Sequence, residues 1–266
     1  MKLSFIGAGN MGGAIVRAVC TATDPNTVFV SNRSYAKVEA LAAELGCHAC
    51  PTNPDCARDA DFIFLGVKPN LVRDVLREIA PILSDRQVLV SMVAGVTGEA
   101  MRAALGKAHE NPIIRILPNT PCAIGKGLML IAPCGDTEPE TVSALAELLA
   151  PCGLIGYTDE AHADAGMVIG GCTPAFAYLF IEALADGGVR CGLTRQQALA
   201  WAAQAVSGAA ELLLHTGAHP GALKDAVCSP GGSTIEGILA LENGAFRGTV
   251  MEAVSAAWEK DQKLGK

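Results

Sequence analysis

The chain has 266 residues, half of them hydrophobic, and a formal net charge of −7 at pH 7. This length allows one large domain or two modest ones, and two are expected. The acidic balance argues against a nucleic-acid partner, which would favour a basic face. Ten cysteines are present, but the chain is too long for a disulfide-stapled mini-protein. Because Cys20, Cys134 and Cys191 lie singly inside apolar segments, reduced thiols are expected. Since Leu3–Ile6 has the pattern of a strand and not of a signal peptide, a soluble, cytoplasmic protein is expected.

Short apolar strands and helical stretches alternate over residues 1–158. Strands are expected at Leu3–Ile6, Val28–Ser31, Phe62–Val67, Val88–Ser91, Ile113–Leu117 and Leu128–Ile131. Helices are expected between them, at Met11–Ala22, Tyr35–Leu45, Leu71–Ile79 and Pro139–Leu149. This alternation predicts an α/β fold with a Rossmann-like, doubly wound and mostly parallel sheet, which helices cover on both faces.

Residues 159–266 carry helix signals throughout, so an all-α C-terminal domain is expected. Three pairs have the spacing of a capping box: Thr194 with Gln197, Ser233 with Glu236, and Thr249 with Glu252. Pro220 suits a first helical position, whereas Gly192 and Gly244 suit helix ends.

The longest uncharged run lies between Asp164 and Glu182. It contains Gly170, Gly171 and Pro174 and is short for a bilayer span. A buried interface helix is therefore favoured over a membrane segment, and no membrane partner is expected.

The N-terminal segment Gly7-Ala8-Gly9-Asn10-Met11-Gly12 follows one expected strand and opens an expected helix. In this pattern the first glycine allows a tight turn and the second lets a pyrophosphate approach the backbone. The third lets helix and strand pack closely. Because free amides at the helix N-terminus attract phosphate, this loop is expected to bind a dinucleotide.

The end of the second strand bears on the choice of cofactor. An NAD enzyme usually places Asp or Glu there, to hold the ribose 2′-hydroxyl. Here Asn32 and Arg33 follow the strand, and a guanidinium suits a 2′-phosphate. NADPH is therefore expected to be preferred, with NADH as the alternative cofactor. The other interpretation of Arg33 is that it is a solvated loop residue without a role in binding.

Two later strand ends point to the same ligand, because ligands of open parallel sheets lie beyond the carboxyl ends of the strands. Lys68-Pro69 follows Phe62–Val67, and Ala94 follows Val88–Ser91. Asn53 either hydrogen-bonds the adenosine or closes a turn.

The segment Ser229-Pro230-Gly231-Gly232-Ser233-Thr234 places two glycines before a helix start. Several backbone amides can converge there on one anion, and the three hydroxyls lie at the same place. The pattern suits a small carboxylate, with a plain helix–loop–helix corner as the alternative.

Together these motifs resemble those of the pyrroline-5-carboxylate reductase family. The resemblance rests on the glycine loop, Val67-Lys68-Pro69, Arg115–Pro121, Ala183–Val189 and residues 229–234, in that order along nearly the whole chain. It implies NAD(P)H-dependent hydride transfer to the C=N carbon of 1-pyrroline-5-carboxylate, which gives L-proline. It also implies a homodimer formed through the C-terminal helices, with a higher oligomer left open.

The resemblance further implies roles for individual residues. Thr234 is expected to be catalytic, with its hydroxyl at the ring nitrogen of the cyclic imine. The substrate is expected to be held by Glu160, Ser229, Gly232, Ser233 and Thr234. In addition to the glycine loop, the NADPH site is expected to be lined by Asn53, Val67, Lys68, Pro69 and Ala94.

Two other functions stay open on the sequence. A 3-hydroxyacid dehydrogenase would share the N-terminal glycine pattern, but such enzymes rely on a lysine in the first long helix of the second domain. None occurs between Lys126 and Lys224. A regulatory protein that senses NAD(P) would show no turnover and would not need a second anion site.

A metal site is not expected. Cys47, Cys50 and Cys56, with His48 nearby, lack the second ligand pair that a zinc site needs. A structural or incidental role is favoured for these cysteines.

Overall fold

A computed structural model describes residues 1–106 and 108–264. They form two compact units, one of residues 1–172 with the C-terminal residues from Trp258 onward, the other of Thr173–Ala257. The domain boundary expected between residues 158 and 159 stays a prediction.

The first unit contains an eight-stranded sheet. Its strands are β1 (Leu3–Ile6), β2 (Val28–Ser31), β3 (His48–Ala49), β4 (Phe62–Leu65), β5 (Val88–Ser91), β6 (Ile113–Pro118), β7 (Gly127–Cys134) and β8 (Gly153–Tyr157). They lie in the order β3-β2-β1-β4-β5-β6-β7-β8. Neighbouring strands are parallel except for the antiparallel pair β6 and β7. The expected doubly wound, mostly parallel sheet is confirmed.

Helices cover both faces of this sheet. They are α1 (Asn10–Cys20), α2 (Tyr35–Leu45), α3 (Asn53–Ala57), α4 (Val72–Ile79), α5 (Gly98–Leu105), α6 (Pro139–Leu149) and α7 (Ala163–Met167). Phe5 and Phe64 stack with their ring centroids 4.4 Å apart in the core shared with α1, α2 and α6. The next residues, Ile6 and Leu65, belong to the core shared with α3, α4 and α5. Because successive side chains point to opposite faces, strands buried on both sides are continuously apolar.

The helices of the second unit are α8 (Thr173–Arg190), α9 (Arg195–Thr216), α10 (Pro220–Ala226) and α11 (Ser233–Asn243), followed by α12 (Phe246–Leu264), whose last residues belong to the first unit. The backbones of α8 and α9 approach closely, because a β-carbon on Gly188 would lie 3.1 Å from that of Ala198. The capping box of Thr194 and Gln197 is confirmed, and so is Pro220 as a first helical residue. The expected all-α C-terminal half is confirmed.

The other two capping boxes are wrong. Gly232, in an extended conformation, precedes α11, so Ser233 already lies inside the first turn. Thr249 lies inside α12, where its hydroxyl donates to the carbonyl oxygen of Ala245 at 3.2 Å. In both cases the helix begins earlier than the side-chain spacing indicated, because backbone geometry at the preceding residues determines the start.

Some elements differ from the sequence expectations. The expected strand Phe62–Val67 ends at Leu65, although the amide of Gly66 still donates to the carbonyl oxygen of Ile6 in β1 at 2.8 Å. The short elements β8, α3 and α5 were not expected. The sequence of β8 contains two glycines, which weaken a strand signal.

By length and composition, the helical stretch Ala163–Arg190 could cross a membrane. Only 11% of the residues in its most apolar 18-residue segment are buried within the single chain. The other residues of this segment are half-buried or exposed.

Candidate dinucleotide and substrate sites

Three glycines meet where β1 and β4 end and α1 begins. A β-carbon on Gly12 would lie 2.3 Å from the carbonyl oxygen of Gly7, and one on Gly66 would lie 2.5 Å from the same atom. Gly7 itself has a φ of +98°, a conformation that other residues rarely adopt. The amide of Gly7 donates to the carbonyl oxygen of Ser31 at 2.8 Å, which ties the turn to β2. The tight turn and the close packing expected of Gly7 and Gly12 are thus present.

Gly9 differs from these glycines because it faces open space. No atom lies within 4 Å of the position that its β-carbon would take, and the residue is exposed. Gly9 is the N-cap of α1, and no side chain among the described residues caps this helix. The amides of the first turn, including those of exposed Asn10 and half-buried Met11, are therefore available to an anion.

A cavity of about 520 Å³ opens beside this helix N-terminus. Gly9, Asn10 and Asn32, three of the residues predicted to bind the cofactor, line it. Arg33 is exposed next to Asn32 but is not among the lining residues. The far wall contains Arg17 of α1, which forms an ion pair with Glu44 of α2.

Lys37 also lines this cavity, and the sequence analysis did not identify it. It lies in the first turn of α2, one helical turn beyond the N-cap Ser34. The sequence did contain a signal for Lys37. It is a basic residue three positions after Ser34, and residues three apart lie on the same face of a helix.

Asn53 is the first residue of α3 and is held by two hydrogen bonds. Its side-chain oxygen accepts from the hydroxyl of Ser31 at 2.9 Å, and its amide nitrogen donates to Glu78 at 2.8 Å. These bonds fix Asn53 beside the end of β2. A contact between Asn53 and the adenosine stays a prediction.

The remaining cofactor candidates follow the strands next to β1. Half-buried Val67 packs against the Gly7 turn, since its Cγ1 would lie 2.9 Å from a β-carbon on Gly7. Exposed Lys68 and Pro69 follow it after β4, and exposed Ala94 follows β5. Because β2, β1, β4 and β5 are adjacent and parallel, the structure brings all the predicted cofactor residues to one edge of the sheet.

The second unit contains the serine- and glycine-rich loop between α10 and α11. Gly231 has a φ of +66°, and the amide of Gly232 donates to the carbonyl oxygen of Ser229 at 3.0 Å. A β-carbon at Gly232 would lie 2.3 Å from Oγ of Ser229, so a side chain there would displace this hydroxyl. Ser233 and Thr234 occupy the exposed first turn of α11, which none of the described side chains caps. Its free amides and hydroxyls can therefore face an anion.

Glu160, the other substrate candidate, belongs to the first unit. Its carboxylate accepts from the amide of Gly98 at 2.6 Å and lies 3.8 Å from the guanidinium of Arg115. The side chain is 33% exposed and lines a cavity of about 940 Å³.

The cysteines of the first unit approach each other without forming a metal cluster. A contact with Cys50 lowers the pKa of the Cys56 thiol to about 7. Within residues 1–106 and 108–264, no group of three or more His, Cys, Asp or Glu residues is arranged to hold a metal ion.

Family models match both halves of the chain. Residues 160–264 match the model for pyrroline-5-carboxylate reductase dimerisation. Residues 2–95 match a model described as NADP oxidoreductase, coenzyme F420-dependent. Pyrroline-5-carboxylate reductase from Escherichia coli (strain K12) is 40% identical over 267 residues, which cover 100% of this chain and 98% of that protein. The Glycine max enzyme is 39% identical over 98% of this chain and 95% of its own length.

This chain belongs to the pyrroline-5-carboxylate reductase family. Solved structures of the family agree over its full length. The Coxiella burnetii enzyme is 31% identical with a TM-score of 0.93, and the alignment covers 100% of this chain and 98% of that one. The Plasmodium falciparum enzyme, with NADP bound, is 32% identical with a TM-score of 0.87 and the same coverage. An imine reductase from Myxococcus stipitatus, 22% identical with a TM-score of 0.55, shares the fold.

Proposed function

We propose that this chain reduces the C=N bond of 1-pyrroline-5-carboxylate to L-proline with NAD(P)H. The observation that carries the proposal is a pair of helix starts that lack a side-chain cap among the described residues. One is the start of α1, where the N-cap Gly9 faces open space, and the other is the start of α11, where Gly232 is the N-cap. The pyrophosphate of a dinucleotide and a small carboxylate can each bind at such a helix start.

The proposed cofactor site fits NADPH. Gly9 leaves room for the pyrophosphate, and the end of β2 carries no carboxylate that would select a free 2′-hydroxyl. Asn32, Arg33 and Lys37 instead offer an amide and two positive charges to a 2′-phosphate. We therefore infer that NADPH is preferred and NADH is accepted more weakly. The other proposed contacts are Gly7, Asn10, Met11, Gly12, Asn53, Val67, Lys68, Pro69 and Ala94.

The cofactor, when bound, supplies the hydride, and the protein supplies position and charge. We propose that the hydroxyl of Thr234 hydrogen-bonds the ring nitrogen and relays a proton to it. The amides of Gly232, Ser233 and Thr234, with the hydroxyl of Ser229, would hold the substrate carboxylate. Glu160 is a further proposed contact of the substrate. Orientation of the imine carbon against the cofactor then contributes several kcal/mol to the rate.

A homodimer is proposed as the working assembly, and the second unit supports it. Large apolar side chains are exposed on several of its helices. They include Tyr178, Leu179, Trp201, Leu212, Leu214, Leu239 and Met251, each more than half exposed. Exposed apolar side chains of this size, when they form a large patch, mark an interaction surface in soluble proteins. Residues 160–264 match the family's dimerisation model, and we propose that residues 159–266 form the substrate-binding and dimerisation domain of a cytoplasmic enzyme.

The rival functions lack comparable support. A 3-hydroxyacid dehydrogenase needs a lysine where this chain has none between Lys126 and Lys224. A regulatory NAD(P) sensor would not require the loop at Ser229–Thr234.

The test follows the absorbance of NADPH during incubation with 1-pyrroline-5-carboxylate, for the wild type, Thr234→Ala and Thr234→Ser. We expect turnover by the wild type, a fall of about 10²-fold or more in Thr234→Ala and partial retention in Thr234→Ser. Binding of NADPH without oxidation in the presence of the imine would refute the proposal. A second assay with NADH gives the cofactor preference.

A further inference from the structure

Arg115 is a charged residue in the interior of the first unit. It lies in the middle of β6, and only 3% of its surface is exposed. Burying a guanidinium costs several kcal/mol unless opposite charges and hydrogen bonds compensate for the lost water. The groups that contact Arg115 must therefore compensate for the burial of its charge.

The guanidinium of Arg115 meets two carboxylates of one short segment. Its Nη2 donates to Oδ1 of Asp164 at 3.2 Å, and its Nη1 lies 3.8 Å from Oε1 of Glu160. Both acidic side chains are about one-third exposed, whereas that of Arg115 is 4% exposed. Arg115 thus holds, from inside the sheet, two groups that reach the surface.

The carboxylate of Glu160 has a second anchor. Its Oε1 accepts from the amide of Gly98 at 2.6 Å, at the first residue of α5. Gly98 is required there, because a β-carbon would lie 2.5 Å from Cβ of Cys134. Burial, and then the charge of Glu160, raise the pKa of the Cys134 thiol to about 11, so this neighbour adds no charge near neutral pH. Between them, Arg115 and Gly98 fix the direction of the Glu160 carboxylate.

We propose that Arg115 is a positioning residue that aims the carboxylate of Glu160 at the ring of the cyclic imine. This inference rests on the proposed function, in which Glu160 lies near the substrate. A carboxylate favours the protonated ring nitrogen of the imine and of the product amine, and it does so most when its own orientation is preset. Arg115 acts through Glu160 and does not touch the substrate.

The hydrogen bond between Gly98 and Glu160 also involves the loop that carries a proposed cofactor contact. The loop between β5 and α5 carries Ala94, a proposed cofactor contact, and ends at Gly98. Because the amide of Gly98 and the guanidinium of Arg115 both approach Oε1 of Glu160, the end of this loop and Arg115 meet at the carboxylate of Glu160.

The test is a double-mutant cycle of Arg115→Met and Glu160→Gln, with Arg115→Lys as the conservative variant. Steady-state kinetics would give KM for the imine and kcat separately, and fluorescence titration would give the Kd of NADPH. Arg86→Met, at an exposed arginine, controls for the loss of a positive charge elsewhere. Thermal unfolding and size-exclusion chromatography report on folding and assembly.

We expect Arg115→Met to raise KM for the imine about tenfold, the effect of losing one oriented charge contact. The kcat and the Kd of NADPH should change less than about threefold, since loss of uniform binding appears in KM. In the Glu160→Gln background, Arg115→Met should have no further effect, because the two residues act as one unit. Arg115→Lys should recover part of the loss.

Equal effects of Arg115→Met in the two backgrounds would overturn the inference, as would an unchanged KM in both Arg115 variants. If Arg115→Met does not fold, Arg115→Lys in the two backgrounds decides the question in the same way. Failure of the proposed function is distinguishable, because the wild type itself would then not turn over the imine.

Discussion

The carbonyl oxygen of Gly7 lies only 2.3 Å from the position that a β-carbon on Gly12 would occupy. Helix α1 therefore rests directly on the turn that follows β1. We expect Gly12→Ala to lower the free energy of unfolding of the first unit by about 1–3 kcal/mol, the usual cost of overpacking. Chemical denaturation of the purified protein measures this change.

Gly9→Ala is the matched control, because a β-carbon at Gly9 meets open space. We expect the unfolding free energy to change by less than about 0.5 kcal/mol. Binding of NADPH should nevertheless weaken about tenfold or more, since the methyl group occupies the path of the pyrophosphate. Isothermal titration with NADPH checks this, and equal affinities of Gly9→Ala and wild type would contradict the proposed site.

Lys37 is predicted to contribute to the preference for NADPH. It lines the cavity beside Asn32, so Lys37→Ala should raise the KM for NADPH about tenfold, the loss of one charge-assisted contact. The KM for NADH, which has no 2′-phosphate, should stay within about twofold. An equal loss with both cofactors would show that Lys37 does not select the phosphate. Arg33→Ala, measured in parallel, tests the residue chosen from the sequence.

Asp261, near the end of α12, is expected to make the stability of the protein depend on pH. Burial, and then the nearby carboxylate of Asp164, raise its pKa above 3.8, although Arg115 opposes the shift. The folded state thus binds this proton more tightly than the unfolded state. The stabilising contribution is complete below the unfolded pKa and is lost as pH rises through the folded pKa.

Asp261→Asn should accordingly raise the unfolding temperature at pH 7 relative to wild type. At pH 4 the difference should be smaller. The group is partly exposed, so the gain should not exceed about 2 °C. Thermal melts at the two pH values measure it, and a gain larger at pH 4 would have the wrong sign.

The exposed apolar surface of α9 is predicted to lie in the homodimer interface. Leu214 is 72% exposed in the single chain, so Leu214→Arg should place a charge in the buried contact and shift the protein to monomers at micromolar concentration. Gln196→Arg, at an exposed polar position of the same helix, should leave the assembly unchanged. Light scattering coupled to size-exclusion chromatography measures both, and a dimeric Leu214→Arg would exclude this surface.

Local patterns in the sequence predicted much of the sheet. The strands Leu3–Ile6, Val28–Ser31 and Val88–Ser91 have the expected bounds, because strands buried on both faces need unbroken apolar runs. The helix Tyr35–Leu45 was also expected at its observed bounds, and its end coincides with Gly46 at a φ of +77°. Prediction was weaker where short elements gain their stability from neighbours, as in β8 and α3.

The sequence by itself determined the chemistry of three short segments: the glycines of the first loop, the basic residues after β2, and the hydroxyls and glycines at Ser229–Thr234. These signals are local, since turn geometry and helix starts depend on a few consecutive residues. Only the tertiary structure showed that Lys37 lines the cavity beside the start of α1, and that Arg115 contacts Glu160 and Asp164 while the amide of Gly98 binds Glu160. The sequence does not indicate which residue pairs with a buried arginine, because the pairing depends on the long-range packing that removes both charges from water.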